Sequence, residues 1–197
     1  MADLSAYLDV HRDLWQQAWE AAHDWTAYLN RGDPKYSERW LAAYERTALT
    51  AQQTALLAGF TRRIHLLVLS GIWCGDCVRQ GPIFRRLAEA APTLRLRFAE
   101  RDECGELADV LRVNGAKKVP VALFLSEDFF EVARFGDRTL SVYRAKAQRE
   151  VGAACATGLV PADAEALAAE VGEWVDLVER VHLVLRTAPL LRERYRD

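Results

Sequence analysis

Two cysteines three positions apart, Cys74 and Cys77, lie where the sequence predicts that a buried strand meets the start of a helix. The apolar run at residues 64–69 predicts the strand, and residues 74 to about 90 predict the helix. Side chains at positions i and i+3 of a helix are neighbours, with Cβ atoms ~5–6 Å apart. Such a pair can close a disulfide with little backbone movement. The spacing therefore indicates a redox-active or metal-binding pair.

The residues beyond this helix continue an alternation of strands and helices. A strand is predicted at residues 94–99, a short helix at 105–113, and two strands at 121–125 and 130–135 that are joined by a tight turn. The order β-α-β-α-β-β implies a parallel pair with a right-handed crossover, followed by an antiparallel hairpin. We therefore expect an α/β fold with a four-stranded mixed sheet flanked by helices.

Both ends of the chain have helical periodicity. Residues 1–60 predict a hairpin of two helices, because apolar side chains recur every three or four positions on either side of a Gly-Asp-Pro break. The expected inward positions are Leu4, Leu8, His11, Trp15, Ala18, Ala22, Trp25 and Leu29 in the first helix, and Trp40, Tyr44, Ala48, Ala51 and Ala55 in the second. Residues 138 to about 156 predict another helix. A last helix is expected to stop near Pro189, before a frayed, charged tail.

We expect these segments to form a single domain of residues 1–197. It consists of the N-terminal helical hairpin (1–60), a central α/β core (61–157) and a C-terminal helix (158–197). No repeat or low-complexity linker separates them.

The position of the cysteines at a helix start also predicts their reactivity. The first turn of a helix has unpaired N–H groups and a partial positive charge, which both favour a thiolate. The thiolate is the nucleophilic form of cysteine. Cys74 is therefore expected to be the exposed attacking sulfur, and Cys77 the buried resolving sulfur one turn later. Trp73 is expected to pack beside the exposed sulfur and to limit its contact with water.

The segment Trp73-Cys74-Gly75-Asp76-Cys77 resembles the active site of the thioredoxin superfamily. Three further positions match that family: Pro82 within the helix, Val119-Pro120 where the family has a cis-proline opposite the cysteines, and Gly136 near the substrate groove. The resemblance covers about residues 61–155 and is similar to bacterial thioredoxin-like proteins with a CGDC site and added helices. It implies a thioredoxin-like fold in which Gly75, Asp76, Val119 and Pro120 support the two catalytic cysteines.

Two positions depart from the family pattern. Asp76 stands where thioredoxins usually have proline, and Val68 stands where they bury an acid. Glu100, at the end of the second strand, is the candidate replacement as proton acceptor for the resolving thiol. Asp76 is expected to raise the pKa of Cys74, because like charges oppose each other's ionised forms. Arg79, three residues further on, can pair with Asp76, and such pairing would reduce this effect.

The bulk composition excludes several classes of function. The net charge of −2 and the absence of a basic block argue against a nucleic-acid partner. The longest apolar runs are far shorter than the ~20 residues that a membrane helix needs. The N-terminus lacks a basic region followed by an apolar core, so we expect a cytoplasmic protein without a secretory signal. We expect no cofactor.

Several residues allow a structural interpretation as well as a functional one. A zinc site would require four ligands, yet Cys104 and Cys155 are isolated and the histidines are scattered. Cys104 is either a third redox thiol or a solvent-facing or half-buried bystander, and Cys155 is expected to pack as a small apolar residue. The tryptophans of the N-terminal region form either a ligand groove or helix packing. Lys117 and Lys118 either are solvated or add positive charge near Cys74.

The sequence predicts a thiol–disulfide oxidoreductase. Its expected substrates are disulfide-containing proteins or small thiols, and a separate reductase would recycle it. In the cytosol the net direction is expected to be reduction. The alternative is a binding module in which the cysteine pair is a redox switch and turnover is small. No feature of the sequence specifies an oligomeric state.

Overall fold

Four strands form one mixed sheet in the computed structural model, which describes residues 7–197. They are β1 (Ile64–Ser70), β2 (Leu94–Glu100), β3 (Val121–Leu125) and β4 (Glu131–Gly136), in the spatial order β2-β1-β3-β4. β1 is parallel to β2 and antiparallel to β3, and β3 is antiparallel to β4. The expected α/β fold with a four-stranded mixed sheet flanked by helices is confirmed.

Helices cover the sheet on both sides. In chain order they are α1 (Arg12–Ala21), α2 (Trp25–Leu29), α3 (Pro34–Arg46), α4 (Ala51–Ala58), α5 (Gly75–Ala90), α6 (Gly105–Val110), α7 (Leu140–Glu150), α8 (Ala166–Thr187) and α9 (Pro189–Tyr195). Every residue of the central strand β1 is buried, as expected for a strand with both faces covered. Within residues 7–197, none of these helices has the length and apolar character that a membrane span requires.

The N-terminal region contains four helices where the sequence predicted a two-helix hairpin. The first predicted helix is interrupted after α1, because the backbone of His23 exchanges two hydrogen bonds with Phe98 of β2, at 2.9 and 2.7 Å. Asp24 then caps α2 by accepting a hydrogen bond from the Ala27 N–H. Leu8 is exposed rather than inward, and Leu4 lies outside the described residues.

The second predicted helix is divided into α3 and α4. Thr50 and Gln53 form a capping box that starts a new helix. The interruption changes which side faces the core, so Ala51 and Ala55 are exposed and Leu57 is buried instead. Ala48 lies in the connection and is also exposed.

Aromatic side chains join the N-terminal helices to the sheet and to α5. Trp40 is fully buried, contacts Phe98 edge-on and donates a hydrogen bond from its indole N–H to the Ile72 carbonyl at 2.9 Å. A Cβ on Gly81 of α5 would lie 1.9 Å from the Trp40 ring, so this close approach requires glycine. The tryptophans therefore pack between elements, as the structural interpretation predicted.

The C-terminal segment differs from expectation in two places. α7 ends at Glu150, and a short 3₁₀ turn at Gly152–Ala154 replaces its predicted last turn. The tail expected to fray forms α9 instead, and the Asp197 carboxylate pairs with Arg62 and Arg186. These ion pairs hold the chain end against the body of the fold.

Candidate active site

Cys74 is the N-cap residue of α5, immediately after the loop that leaves β1. Its side chain is half-buried, and its Sγ lies 3.7 Å from the Val119 carbonyl oxygen. The peptide bond between Val119 and Pro120 is cis and precedes β3. A Cβ on Gly136 would lie 2.9 Å from the Pro120 carbonyl oxygen, so glycine lets β4 approach this loop. The fold thus places the first cysteine directly opposite the Val119–Pro120 backbone.

Cys77 lies one turn into α5 and is 1% exposed. The Gly71 backbone N–H donates a hydrogen bond to its Sγ at 3.4 Å. Burial raises the pKa of the Cys77 thiol well above its ordinary value. Both cysteines are free thiols in this structure. Cys77 is therefore a protonated, protected thiol beside a more exposed one.

The surroundings of Cys74 favour its thiolate. A hydrogen bond from the Cys77 side chain is the largest influence, followed by the opposing effect of burial, and the backbone N–H groups of Cys77 and Asp76 then add further stabilisation. Together they lower the pKa of Cys74 from 9.0 to about 6, although the Asp76 charge acts in the opposite direction. This sign for Asp76 is the one that the sequence predicted.

The partner of the Asp76 carboxylate is an arginine from a distant segment of the chain. Arg138 contacts both carboxylate oxygens, at 3.2 and 2.6 Å. Arg79 instead pairs with Glu170, a fully buried carboxylate on α8. Position i+3 of α5 directs Arg79 towards α8, whereas Arg138 reaches Asp76 from the segment after β4.

The other residues predicted to support the site have varied surroundings. The Trp73 indole is 40% exposed, and the Arg101 guanidinium lies 4.8 Å from its ring centroid. A Cβ on Gly75 would meet nothing within 4 Å, so the helix surface at this residue is open. Lys117 pairs with Asp109 at 3.0 Å and Lys118 with Asp137 at 3.5 Å, so both lysines have carboxylate partners.

Glu100 ends β2 with its carboxylate turned towards the loop before α5. Its Oε2 accepts hydrogen bonds from the Tyr28 hydroxyl at 2.9 Å and from the Ile72 N–H at 3.1 Å. Burial raises the pKa of this carboxyl. Sequence reasoning missed Tyr28, because 72 positions separate it from Glu100 and no local pattern marks such a contact.

The two remaining cysteines lie outside this arrangement. Cys104 is the half-buried N-cap residue of α6, and burial raises the pKa of its thiol. Cys155 is exposed, so the expectation that it packs as a small apolar residue was wrong; the residue follows the 3₁₀ turn instead of lying in a helix. Across residues 7–197, no three His, Cys, Asp or Glu side chains are grouped so that they could hold a metal ion.

Comparison with solved structures finds the same overall fold elsewhere. A protein of unknown function from Pseudomonas aeruginosa, solved at 1.5 Å, has a TM-score of 0.66 at 20% identity, over 84% of this chain and 96% of that one. An HIV epitope-scaffold has a TM-score of 0.64 at 20% identity, over 84% and 97%. At this identity the likeness concerns the fold alone.

A family model described as thioredoxin matches residues 22–149. No curated protein matches the chain significantly. The matched segment spans well over half of the chain and includes both cysteines of α5 and the cis-proline before β3. The chain therefore belongs to the thioredoxin family.

Proposed function

We propose that this protein is a thiol–disulfide oxidoreductase that uses Cys74 and Cys77. The observation that carries this proposal is the contrast between the two thiols. Cys74 is partly accessible with a pKa lowered to about 6, and Cys77 is buried with a raised pKa. An accessible thiolate suits the attacking step, and a protected neighbour suits resolution.

The reaction has two exchange steps. The Cys74 thiolate attacks one sulfur of the substrate disulfide, so that a mixed disulfide forms and the other substrate sulfur leaves as a thiolate. Cys77 then attacks the Cys74 sulfur and releases the second substrate thiolate. The protein ends with a Cys74–Cys77 disulfide, two electrons have passed to the substrate, and Cys77 has lost its proton. We assign that proton to Glu100, the acid at the end of β2.

Substrate would lie along the backbone at Val119 and Pro120. The Val119 carbonyl oxygen already lies 3.7 Å from the Cys74 sulfur, so an extended segment at this edge would bring its disulfide to that sulfur. Main-chain hydrogen bonding of this kind accepts many side chains. Cys74 is only half-buried, which leaves its sulfur accessible to a protein or a small disulfide. A reductase would return the pair to the dithiol, and reduction in the cytoplasm is the direction that we propose.

The alternative function, a redox-switched binding module, would use the added helices to hold a partner. Three large aromatic side chains of those helices, Trp15, Tyr28 and Trp40, are completely buried against the sheet and α5. They are therefore committed to the core, which favours the oxidoreductase.

A trapping experiment tests the proposal. In the Cys77→Ser variant, the first step proceeds and the second cannot, so mixed disulfides should accumulate on Cys74. The matched control is Cys104→Ser, which should accumulate none, because the resolving thiol remains. Absence of trapped partners on Cys74, both with a model disulfide and in cell extract, would contradict the proposal.

A further inference from the structure

Two buried hydroxyl groups lie between Cys77 and Glu100. Ser70, the last residue of β1, and Tyr28 of α2 are both 0% exposed. The Tyr28 hydroxyl donates to the Glu100 carboxylate at 2.9 Å. Cys77 must lose its thiol proton in the second exchange step. The Gly71 N–H, which contacts the Cys77 sulfur, can only donate a hydrogen bond and cannot accept this proton.

The strand register explains why these groups meet. In the parallel ladder, Ser70 of β1 pairs with Glu100 of β2, and Val68 pairs with Phe98. The Tyr28 ring stacks on Phe98 with centroids 5.0 Å apart, which brings its hydroxyl to the level of Glu100. Glu100 therefore lies two residues further along the ladder than Val68, on the neighbouring strand.

Ser70 is placed between Tyr28 and Cys77 by its neighbours, because the adjacent Gly71 contacts the Cys77 sulfur and its ladder partner Glu100 contacts the Tyr28 hydroxyl. The Ser70 Oγ has no partner in standard hydrogen-bond geometry, although it is completely buried. Burial raises the pKa of both Tyr28 and Cys77, and the nearby Ser70 hydroxyl opposes that rise in each. Buried polar atoms without a fixed partner are uncommon, and a role in a reaction is one explanation for them.

We propose that Ser70 and Tyr28 conduct the proton of Cys77 to Glu100 while Cys77 resolves the mixed disulfide. This inference rests on the proposed oxidoreductase function. Each hydroxyl can donate one hydrogen bond and accept another, as a relay requires. The Tyr28 hydroxyl already points towards Glu100, which leaves its oxygen free to accept a proton from Ser70.

The proton transfers balance. As the Cys77 sulfur bonds to the Cys74 sulfur, its proton passes to Ser70, the Ser70 proton passes to Tyr28, and the Tyr28 proton passes to Glu100. Both hydroxyls end neutral and Glu100 ends protonated, while the bond from Cys74 to the substrate breaks and the substrate sulfur leaves with the electron pair. Burial raises the pKa of Glu100, which makes it a stronger base for this step.

Several titratable groups face this chain of hydroxyls. Cys104, at the start of α6, lies near Glu100, and burial followed by the Glu103 and Glu100 charges raises the pKa of its thiol. Cys74 faces Cys77 from the start of α5. Asp102 and Glu103, in the loop after β2, add negative charge near Glu100 and raise its pKa further. The negative charges of Asp102 and Glu103 therefore favour the protonated Glu100 that the relay would produce.

Tyr28→Phe tests the relay, because it removes one hydroxyl and keeps the ring that stacks on Phe98. Full-length protein is mixed with glutathione disulfide, and the mixed disulfide on Cys74 is followed by rapid quenching and mass spectrometry. Formation should keep its parental rate. Resolution at pH 7 should slow by roughly 10²-fold, the lower end for lost acid–base catalysis. The deficit should shrink as the pH rises, because hydroxide can then deprotonate Cys77 directly.

A matched control and a second variant separate the outcomes. Tyr44→Phe removes a tyrosine hydroxyl that also contacts a carboxylate, Glu89 at 2.9 Å, but on the surface, and it should leave both steps unchanged. Ser70→Ala should reproduce the defect of Tyr28→Phe. Parental resolution at every pH, or a pH-independent slowing of both steps, would overturn the relay while leaving the exchange reaction intact. If the parent formed no mixed disulfide on Cys74, the proposed function would fail as well.

Discussion

Replacement of Cys77 with alanine removes the hydrogen bond that contributes most to the lowered pKa of Cys74. The backbone N–H groups of residues 76 and 77 remain in this variant, as does the negative charge of Asp76. Burial also still opposes ionisation of the thiol. We therefore expect the Cys74 pKa to rise towards 9.0, the ordinary cysteine value.

The expected loss of Cys74 reactivity follows from its thiolate fraction at the lowered pKa and at the ordinary cysteine pKa. With a pKa of about 6, about nine tenths of Cys74 is thiolate at pH 7, and at 9.0 the fraction is about one hundredth. The largest favourable contribution is lost and the smaller ones stay, so the rate of alkylation at pH 7 should fall about tenfold or more.

Alkylation with iodoacetamide, followed peptide by peptide by mass spectrometry across a pH series, measures this change. The exposed Cys155 is an internal reference for the reagent in the same digest. The half-buried Cys104 provides the matched variant, since Cys104→Ala should leave the Cys74 profile unchanged. An unchanged midpoint for Cys74 in Cys77→Ala would refute the claim that the second cysteine activates the first.

Three further substitutions have defined outcomes. Asp76→Asn keeps the backbone N–H donor and removes the negative charge, so the Cys74 pKa should fall and the reduction potential should become less negative. The change in potential should be less than about 30 mV, because Arg138 already offsets the Asp76 charge. A more negative potential would contradict this expectation. Arg138→Ala leaves Asp76 without its guanidinium and should raise the Cys74 pKa, measured in the same alkylation series. Gly81→Ala should lower the free energy of unfolding by several kcal/mol in urea titrations, because its Cβ would lie 1.9 Å from an indole ring. The control Gly172→Ala, where a Cβ meets nothing within 4 Å in the middle of a helix, should be neutral or stabilising by up to ~1 kcal/mol.

The α/β core could be predicted from the sequence because its signals are local. The run at residues 64–69 is apolar on both faces, and the structure buries every residue of the corresponding strand. The strand predicted at 130–135 differs by one residue at each end from Glu131–Gly136. Glycine marked some connections, such as Asn114-Gly115 after α6, whereas the turn at residues 126–129 contains neither glycine nor proline.

The N-terminal helices were harder to predict because periodicity does not show interruptions. The break after α1 depends on two hydrogen bonds between His23 and Phe98, which are 75 positions apart. The break before α4 did have a local signal, since Thr50 and Gln53 have capping-box spacing. Reading that signal would have placed Leu57 in the core.

The site shows the same division between local and distant information. The motif and helix start located Cys74 and Cys77, and the family resemblance located Val119-Pro120, which the structure brings to the same place. Asp76 is paired with Arg138, and Glu100 is hydrogen-bonded to Tyr28. Both partners belong to segments distant in sequence, so the residues neighbouring each acid could not predict them.

The central claim is that Cys74 and Cys77 exchange a dithiol for a disulfide. The most direct measurement is equilibration of the full-length protein in glutathione buffers of graded potential, followed by acid quenching, thiol counting and peptide mapping. We predict a single two-electron transition in which two thiols are lost, a Cys74–Cys77 disulfide forms, and Cys104 and Cys155 stay free. A dominant link between Cys74 and Cys104, or two cysteines of α5 that remain reduced at every potential, would contradict the claim.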